Sequence, residues 1–480
     1  MRLIIKFNYT FWIFFSWISL LAFFLYTNVN ALIIFFIFSL FFGTIFYSAI
    51  TKRYVALSIF FLFTFVSQAI NAPLFFLNQK RLQSSTQWKL GDFNFDLVDF
   101  FTIYTGMFFL VILVFIFCKY INLYIFKLKY FHNPRSRRFS SDISLSKESP
   151  NLNSLKKYTI SKYSMYVFIL ILCSVVLNIF MYKNGIGIST VSPDRLPFKL
   201  VGITVYTRFL LIPCLLAYLF YKSKRSLVIV LLIIFYASFV SIVSMSKAQG
   251  LLILMPILIF SFIDNKKLRF TFVGLVAVFM YVVISEIRRI SFGLDLNFFE
   301  ILTFAFTVIN FNDFSIPGFL FEFSDRLYGS KYTILVSNFN LENNIGEIVK
   351  FLIGSTDSLS KIIVSDLFGI TAVPGRMIGV NIGVLNKILL LANDNYLILF
   401  FLAFFVSFCI SLVDKILSIY LKMNDSGRMI GFSLSFIMMF YLYDGVIDKF
   451  YILIILSLTI LFLINNFNFF KKISTKNRKL

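Results

Sequence analysis

The sequence predicts an all-α polytopic membrane protein with about twelve transmembrane helices and one large, partly helical loop on the outer side. Three observations carry this. The 480 residues are 59% hydrophobic and only 14% charged, whereas a soluble domain carries about 25% charged residues. Apolar runs of membrane-spanning length recur along the whole chain. The 45 Lys and Arg residues, set against 22 Asp and Glu, fall between those runs and not along one polar face. The hydrophobic content excludes a disordered chain. The placement of the basic residues excludes a basic soluble nucleic-acid binder, so no nucleic-acid partner is expected. The chain reads as one integral membrane domain over 1–480.

A helix needs about 20 mostly apolar residues to cross the hydrocarbon core. Twelve stretches satisfy this: 9–26, 31–50, 54–77, 100–118, 163–182, 202–221, 227–243, 245–263, 270–287, 396–413, 429–446 and 450–464. The first follows Arg2 and Lys6 and precedes Val29, Asn30 and Ala31, as a cleaved signal peptide would. The membrane pattern simply continues beyond it, so a retained signal anchor is expected. Cys118, Cys173, Cys214 and Cys409 lie in or at the end of apolar runs without a CxxC spacing, and are expected as small buried hydrophobes. With His132 the sole histidine, no zinc site is expected, and the sequence calls for no other cofactor.

Orientation follows from Lys and Arg in the connections. With a cytoplasmic N-terminus, 28 of the 45 basic residues fall on the cytoplasmic side and 17 on the outer side. The acids divide 5 to 17, so the whole formal charge of +23 sits on the cytoplasmic face and the outer face nets zero. Both termini are therefore expected in the cytoplasm of a multi-pass protein. A cytoplasmic basic loop, 119–162, carries Pro134, Arg135, Arg137 and Arg138 and then a Ser-rich stretch to Pro150. It reads as a topology anchor against anionic lipid, as does the basic tail 467–480. The large outer loop, 288–394, is too apolar for a linker. Its stretch 298–311 is apolar with scattered polar residues. Pro317 suits the first turn of a helix through Phe319, Leu320, Phe323 and Leu327, and 345–353 has apolar residues at helical spacing. These pieces are expected as amphipathic helices on the outer surface of the bundle, and long structured loops of this kind usually carry function.

Ionisable residues at membrane depth are costly and are candidates for function. Arg208 lies about two turns into the sixth stretch, Lys247 opens the eighth, Arg288 and Arg289 close the ninth, and Asp444 and Asp448 flank the last outer hairpin. Each has an ordinary alternative as a snorkelling anchor or an interhelical ion pair. The outer loops add Asp194 and Arg195, then Asp325, Arg326 and Lys331, where Glu322 and Arg326 also have the spacing of a helix salt bridge. Gly375, Gly379 and Gly383 recur at every fourth residue beside Arg376. That pattern suits close helix packing, or a helix N-terminus offering Gly375 and Arg376 to an anion. Arginines bind phosphate oxygens bidentately and keep their charge. A group of them at the outer interface suits a lipid-linked diphosphate, with loop carboxylates available as a general base on a sugar hydroxyl. The chemistry this points to is glycosyl transfer with the leaving diphosphate neutralised by arginine.

Several local patterns carry a resemblance. They are Met181-Tyr182-Lys183-Asn184-Gly185 leaving the fifth stretch, Arg208-Phe209-Leu210, the small polar run Ser244–Gly250, the pair Arg288-Arg289, Arg326-Leu327-Tyr328-Gly329, and Thr371-Ala372-Val373-Pro374-Gly375. With the architecture, they resemble the O-antigen polymerases of the Wzy family, although members often have Arg where Lys247 stands. The resemblance implies a GT-C-like inner-membrane glycosyltransferase acting at the periplasmic face. Such enzymes join undecaprenyl-diphosphate-linked oligosaccharide repeat units into O-antigen or a similar surface polysaccharide, alongside a Wzz-type chain-length regulator. Carried onto this chain, it implies Arg208, Arg288 or Arg289, and Arg326 as catalytic arginines and Arg195, Lys247 and Arg376 as substrate-binding; Lys331 and Gly375, in the same large loop, are substrate-binding candidates from the residues themselves. It assigns no base; Asp325 is the first candidate, with Glu322 and Asp313 behind it. O-antigen ligases share a large outer loop but carry a His there, whereas His132 is cytoplasmic in this topology. A Wzx-like flippase often shows related halves and short outer loops.

Overall fold

In the computed structural model the described residues are 29–51, 54–76, 96–128, 162–183, 207–222, 227–244, 247–263, 267–291, 300, 330–337, 345–354, 382–421 and 425–477. They are almost entirely helical, and no strand occurs among them. Among the described residues, five helices are long and apolar enough to cross a membrane: α1 over Val29–Ala49, α2 over Val55–Phe76, α3 over Leu97–Ile125, α4 over Met165–Tyr182, and one more near the C-terminus over Tyr396–Tyr420. Between them in sequence lie α5 (Ile212–Lys222), α6 (Leu227–Val243), α7 (Lys247–Ile263) and α8 (Lys267–Ser291). Three short helices follow: α9 (Ser330–Ser337), α10 (Ile345–Ile353) and α11 (Val384–Ala392). The chain closes with α12 (Tyr396–Leu421), α13 (Asp425–Asp444) and α14 (Ile447–Asn477). Every stretch expected from 31–50 onward falls on a described helix, the sixth from Thr207 on; 9–26 lies outside the described residues. The expected helix at 345–353 is α10. The helix expected after Pro317 and the apolar stretch from Phe298 lie outside the described residues, apart from Glu300.

Helix ends are fixed by local chemistry. Asp96 and Asp99 form a reciprocal capping box at the start of α3, with Asp99 N–H donating to Asp96 at 2.8 Å. Asn395 accepts from the backbone of Leu397 at 3.0 Å and so caps α12. The start of α2 is capped from a distance: Asp414 of α12 accepts from the Ala56 N–H at 2.8 Å. The end of α11 is turned by Asn393 and Asp394, both with positive φ, a conformation Asn and Asp tolerate better than other non-glycine residues.

Two apolar cores result. One unites α1, α2, α3 and α9–α14; the other unites α4–α8. In the first, the phenylalanines pack edge to face, with Phe38 against Phe42, Phe101 and Phe108 at 5.1–6.2 Å between ring centres. α13 joins the halves, because it packs on α5 and α7 on one side and on α2, α11, α12 and α14 on the other. Three of the four cysteines are buried as expected; Cys173 is exposed, on the outward face of α4 beside Leu172 and Val176. An apolar helix face without a protein neighbour leaves a cysteine there exposed, and the apolar run alone did not distinguish it.

Side-chain bridges respect an up-and-down alternation. Asp414 joins the start of α2, and Lys415 donates to the Phe126 carbonyl at 3.2 Å just beyond α3, at one end of the bundle. Ser67 shares a 2.6 Å hydrogen bond with Tyr443 towards the other end. Arg208 and the α13–α14 turn lie at that second end, the one expected to face outward.

Candidate functional site

Arg208 sits in a widened turn, Thr207–Leu211, immediately before α5. Single π turns of this kind are rare and occur often at functional sites. Its side chain is only 2% exposed, enclosed by α5 and α6. One of its five donors, on Nη2, reaches the Val240 carbonyl at 3.3 Å. That carbonyl also accepts from the Ser244 hydroxyl at 2.6 Å and the Ser244 N–H at 3.0 Å, so it is shared. The Nε of Arg208 has no partner among the described residues, and no carboxylate among them pairs with it.

Among the described residues the surroundings are polar and uncharged. Tyr236 of α6 is within electrostatic reach of Arg208. Asn178 of α4 donates to the Ser174 carbonyl at 2.7 Å and, at 3.5 Å, to the Tyr236 hydroxyl. Asn178 Oδ1, Ser174 Oγ, Ser241 Oγ and, in the first turn of α7, Gln249 Oε1 are buried without partners among the described residues. α7 comes close here because residue 250 is glycine: a Cβ would lie 2.0 Å from Ser241 Oγ and 3.2 Å from the Ala237 carbonyl. The result is a buried guanidinium whose Nε has no partner, near hydroxyl and amide groups and without a fixed counter-ion among the described residues. Such an arrangement can accept an anionic group together with hydroxyl-bearing neighbours.

A second polar group lies at the same end, on the α13–α14 turn. Lys387 of α11 is 0% exposed and donates to the Gly445 carbonyl at 2.9 Å. Gly445 has φ +75°, and a Cβ there would lie 3.0 Å from the Lys387 chain. Asp448, exposed on α14, is the opposing charge, but burial dominates and lowers the ammonium pKa to about 8. Beside it, Asn386 accepts from Thr333 of α9 at 3.0 Å. Gly354, with φ +88°, sits directly on the Asp448 backbone, and Tyr451 donates to the Leu352 carbonyl at 2.5 Å. The end of the long loop 288–394 is thus fastened to the last hairpin through α9, α10 and α11.

The sequence-derived candidates fall into three groups. Arg208 is described in full. Lys247, Arg288, Arg289 and Lys331 are placed by backbone, at the first turn of α7, the last turn of α8 and the first turn of α9, and their side chains lie outside the described set. Arg195, Asp325, Arg326, Gly375 and Arg376 lie outside the described residues altogether, as do Glu322 and Asp313. Of the glycine repeat, only Gly383 is described; it precedes α11 with φ +77° and is not inside a helix. Sequence reasoning missed Lys387, Asn178 and Tyr236. Their signal was a lone Asn in an otherwise apolar run and an Asn-Lys pair inside Val384–Ala392. Among the described residues no group of three His, Cys, Asp or Glu side chains could hold a metal ion. No known protein family, curated protein or solved structure matches the chain.

Proposed function

We propose that this protein is a membrane glycosyltransferase that polymerises undecaprenyl-diphosphate-linked oligosaccharide repeat units at the outer face of the bacterial inner membrane. In this reading both termini are cytoplasmic, about twelve helices span in a GT-C-like arrangement, and a Wzz-type protein sets chain length. The observation that carries it is Arg208: a buried guanidinium with an unspent Nε, no carboxylate partner among the described residues, and hydroxyl and amide groups around it. Keeping an arginine there costs free energy that a bound phosphate would return. A diphosphate fits better than a carboxylate ligand, because the arginines and lysines of the outer loops supply several further cations.

In the reaction, a hydroxyl of the incoming repeat unit attacks the anomeric carbon of the growing chain. The new carbon–oxygen bond forms as the bond to the diphosphate breaks, and the diphosphate leaves with the electron pair. The hydroxyl proton passes to an outer-loop carboxylate, with Asp325 the first candidate. Arg208, with Arg288, Arg289 and Arg326, neutralises the charge that develops on the leaving group.

Deleting the gene tests this. Single repeat units should remain on the lipid anchor while long chains disappear. Unchanged long chains, or loss of every capped product, would assign the protein another role, the second outcome favouring a flippase or ligase. Arg208→Ala and Arg326→Ala should each abolish polymerisation with the protein still in the membrane, and full activity in both would remove the diphosphate clamp.

A further inference from the structure

α10 is nine residues long, about 13 Å, too short to cross a membrane. Its apolar arc is nevertheless wider than the part that meets the protein. Ile348 and Phe351 point inward, and Phe351 meets Phe405 of α12 with ring centres 6.3 Å apart. Along the flank of the same arc Ile345, Val349 and Ile353 are 75%, 46% and 67% exposed, at i, i+4 and i+8. The two charged residues of the helix, Glu347 and Lys350, neutralise one another at 2.7 Å. An apolar arc that protein covers only in part belongs between two apolar surroundings. The inner one is the protein core.

The outer one is indicated by what α10 adjoins. Its C-terminal end rests on the first turns of α14 through the Tyr451–Leu352 hydrogen bond and the Gly354–Asp448 contact. From there Ile452, Ile455, Leu458 and Phe462 continue as an exposed apolar stripe down α14. In a chain whose described residues include five helices able to cross a membrane, an exposed apolar stripe of this kind is read as a lipid-facing surface. The exposed face of α10 begins where that stripe begins.

We propose that α10 lies in the plane of the outer leaflet, with Ile345, Val349 and Ile353 in the boundary between headgroups and acyl chains. The occupant of this face is lipid, and neither a second copy nor another protein. The helix thereby holds the α11–α14 fastening at headgroup depth. This does not depend on the polymerase reading; it holds or fails whatever reaction the protein carries out.

The test uses the full-length protein carrying Cys173→Ser, which removes the one exposed native cysteine, in vesicles of phosphatidylcholine and phosphatidylglycerol. A fluorophore is attached at Val349→Cys, and separately at Ile345→Cys and Lys350→Cys. Nitroxide on the lipid chain near the headgroup should quench the 349 and 345 probes several-fold more than aqueous iodide or nitroxide near the chain end. The 350 probe, at the polar margin, should be the most open to iodide. Dominant iodide quenching at 349 and 345 would overturn the proposal. So would a disulfide-linked dimer through Val349→Cys, which indicates a second copy, or protection from both lipid and aqueous quenchers, which indicates a protein cover. Protein that fails to reach the membrane with one substitution is replaced by the other, since both positions report on the same face.

Discussion

Lys387 offers the most quantitative prediction. Its amine is enclosed by α11 and the α13–α14 turn and donates to the Gly445 carbonyl. Burial lowers its pKa from the ordinary 10.5 to about 8, against the opposing pull of Asp448. That difference corresponds to about 3 kcal/mol between the charged and neutral forms. The sign follows from proton uptake. Below about pH 8 the amine is charged in folded and unfolded protein alike, and the full cost of burying it is present. Between about pH 8 and pH 10.5 the folded protein has released the proton and the unfolded chain still holds it, so stability rises with pH. Lys387→Met keeps the length of the chain and removes the charge and its proton. It also leaves the Gly445 carbonyl without this donor, at about 1–3 kcal/mol. Near neutral pH the two changes offset. The measurement is thermal unfolding in detergent, followed by circular dichroism across that pH range, for both proteins. Wild type should gain about 3 kcal/mol on the variant as pH rises from 8 to 10.5. Parallel profiles, or a wild type that loses ground with pH, would refute the buried-ammonium assignment.

Gly250→Val should displace α7 from α6 and lower thermal stability by about 1–3 kcal/mol, because even a Cβ would lie 2.0 Å from Ser241; an unchanged melting profile would refute the close approach. Asp414→Ala should cost about 1–2 kcal/mol by uncapping α2 at Ala56, visible as a lower midpoint in the same unfolding assay. A periplasm-only reporter fused after Gly329 should be active and one fused after Ser140 inactive; the reverse would invert the topology.

Much of the fold was legible because a membrane span is a long, one-dimensional signal. Helices α1 to α4 and α12 could be read from apolar length, and α10 from the spacing of Ile345, Ile348 and Val349. The site was legible only where a charge interrupted an apolar run, as at Arg208. Its companions were not, because Asn178 and Tyr236 are ordinary residues until folding sets α4 against α6. Lys387 was hidden for a different reason. In a loop counted as outer and polar, a lysine is unremarked; it becomes unusual once α11 is seen to be buried beneath Gly445. Asp414, on the opposite end, was counted among the cytoplasmic acids. Its role as a cap for a helix 358 residues away in sequence is a property of tertiary contact alone.

Polymerisation by purified protein is the most direct test of the proposed activity. Wild-type protein in vesicles, supplied with undecaprenyl-diphosphate-linked repeat units and no nucleotide sugar, should yield a ladder of longer chains. Each bond formed should release one undecaprenyl diphosphate, and Arg208→Ala should abolish both products while leaving the folded protein intact. Repeat units that stay single, with no diphosphate released by wild type, would contradict the polymerase reading. A ladder undiminished by Arg208→Ala would contradict the role given to the buried guanidinium.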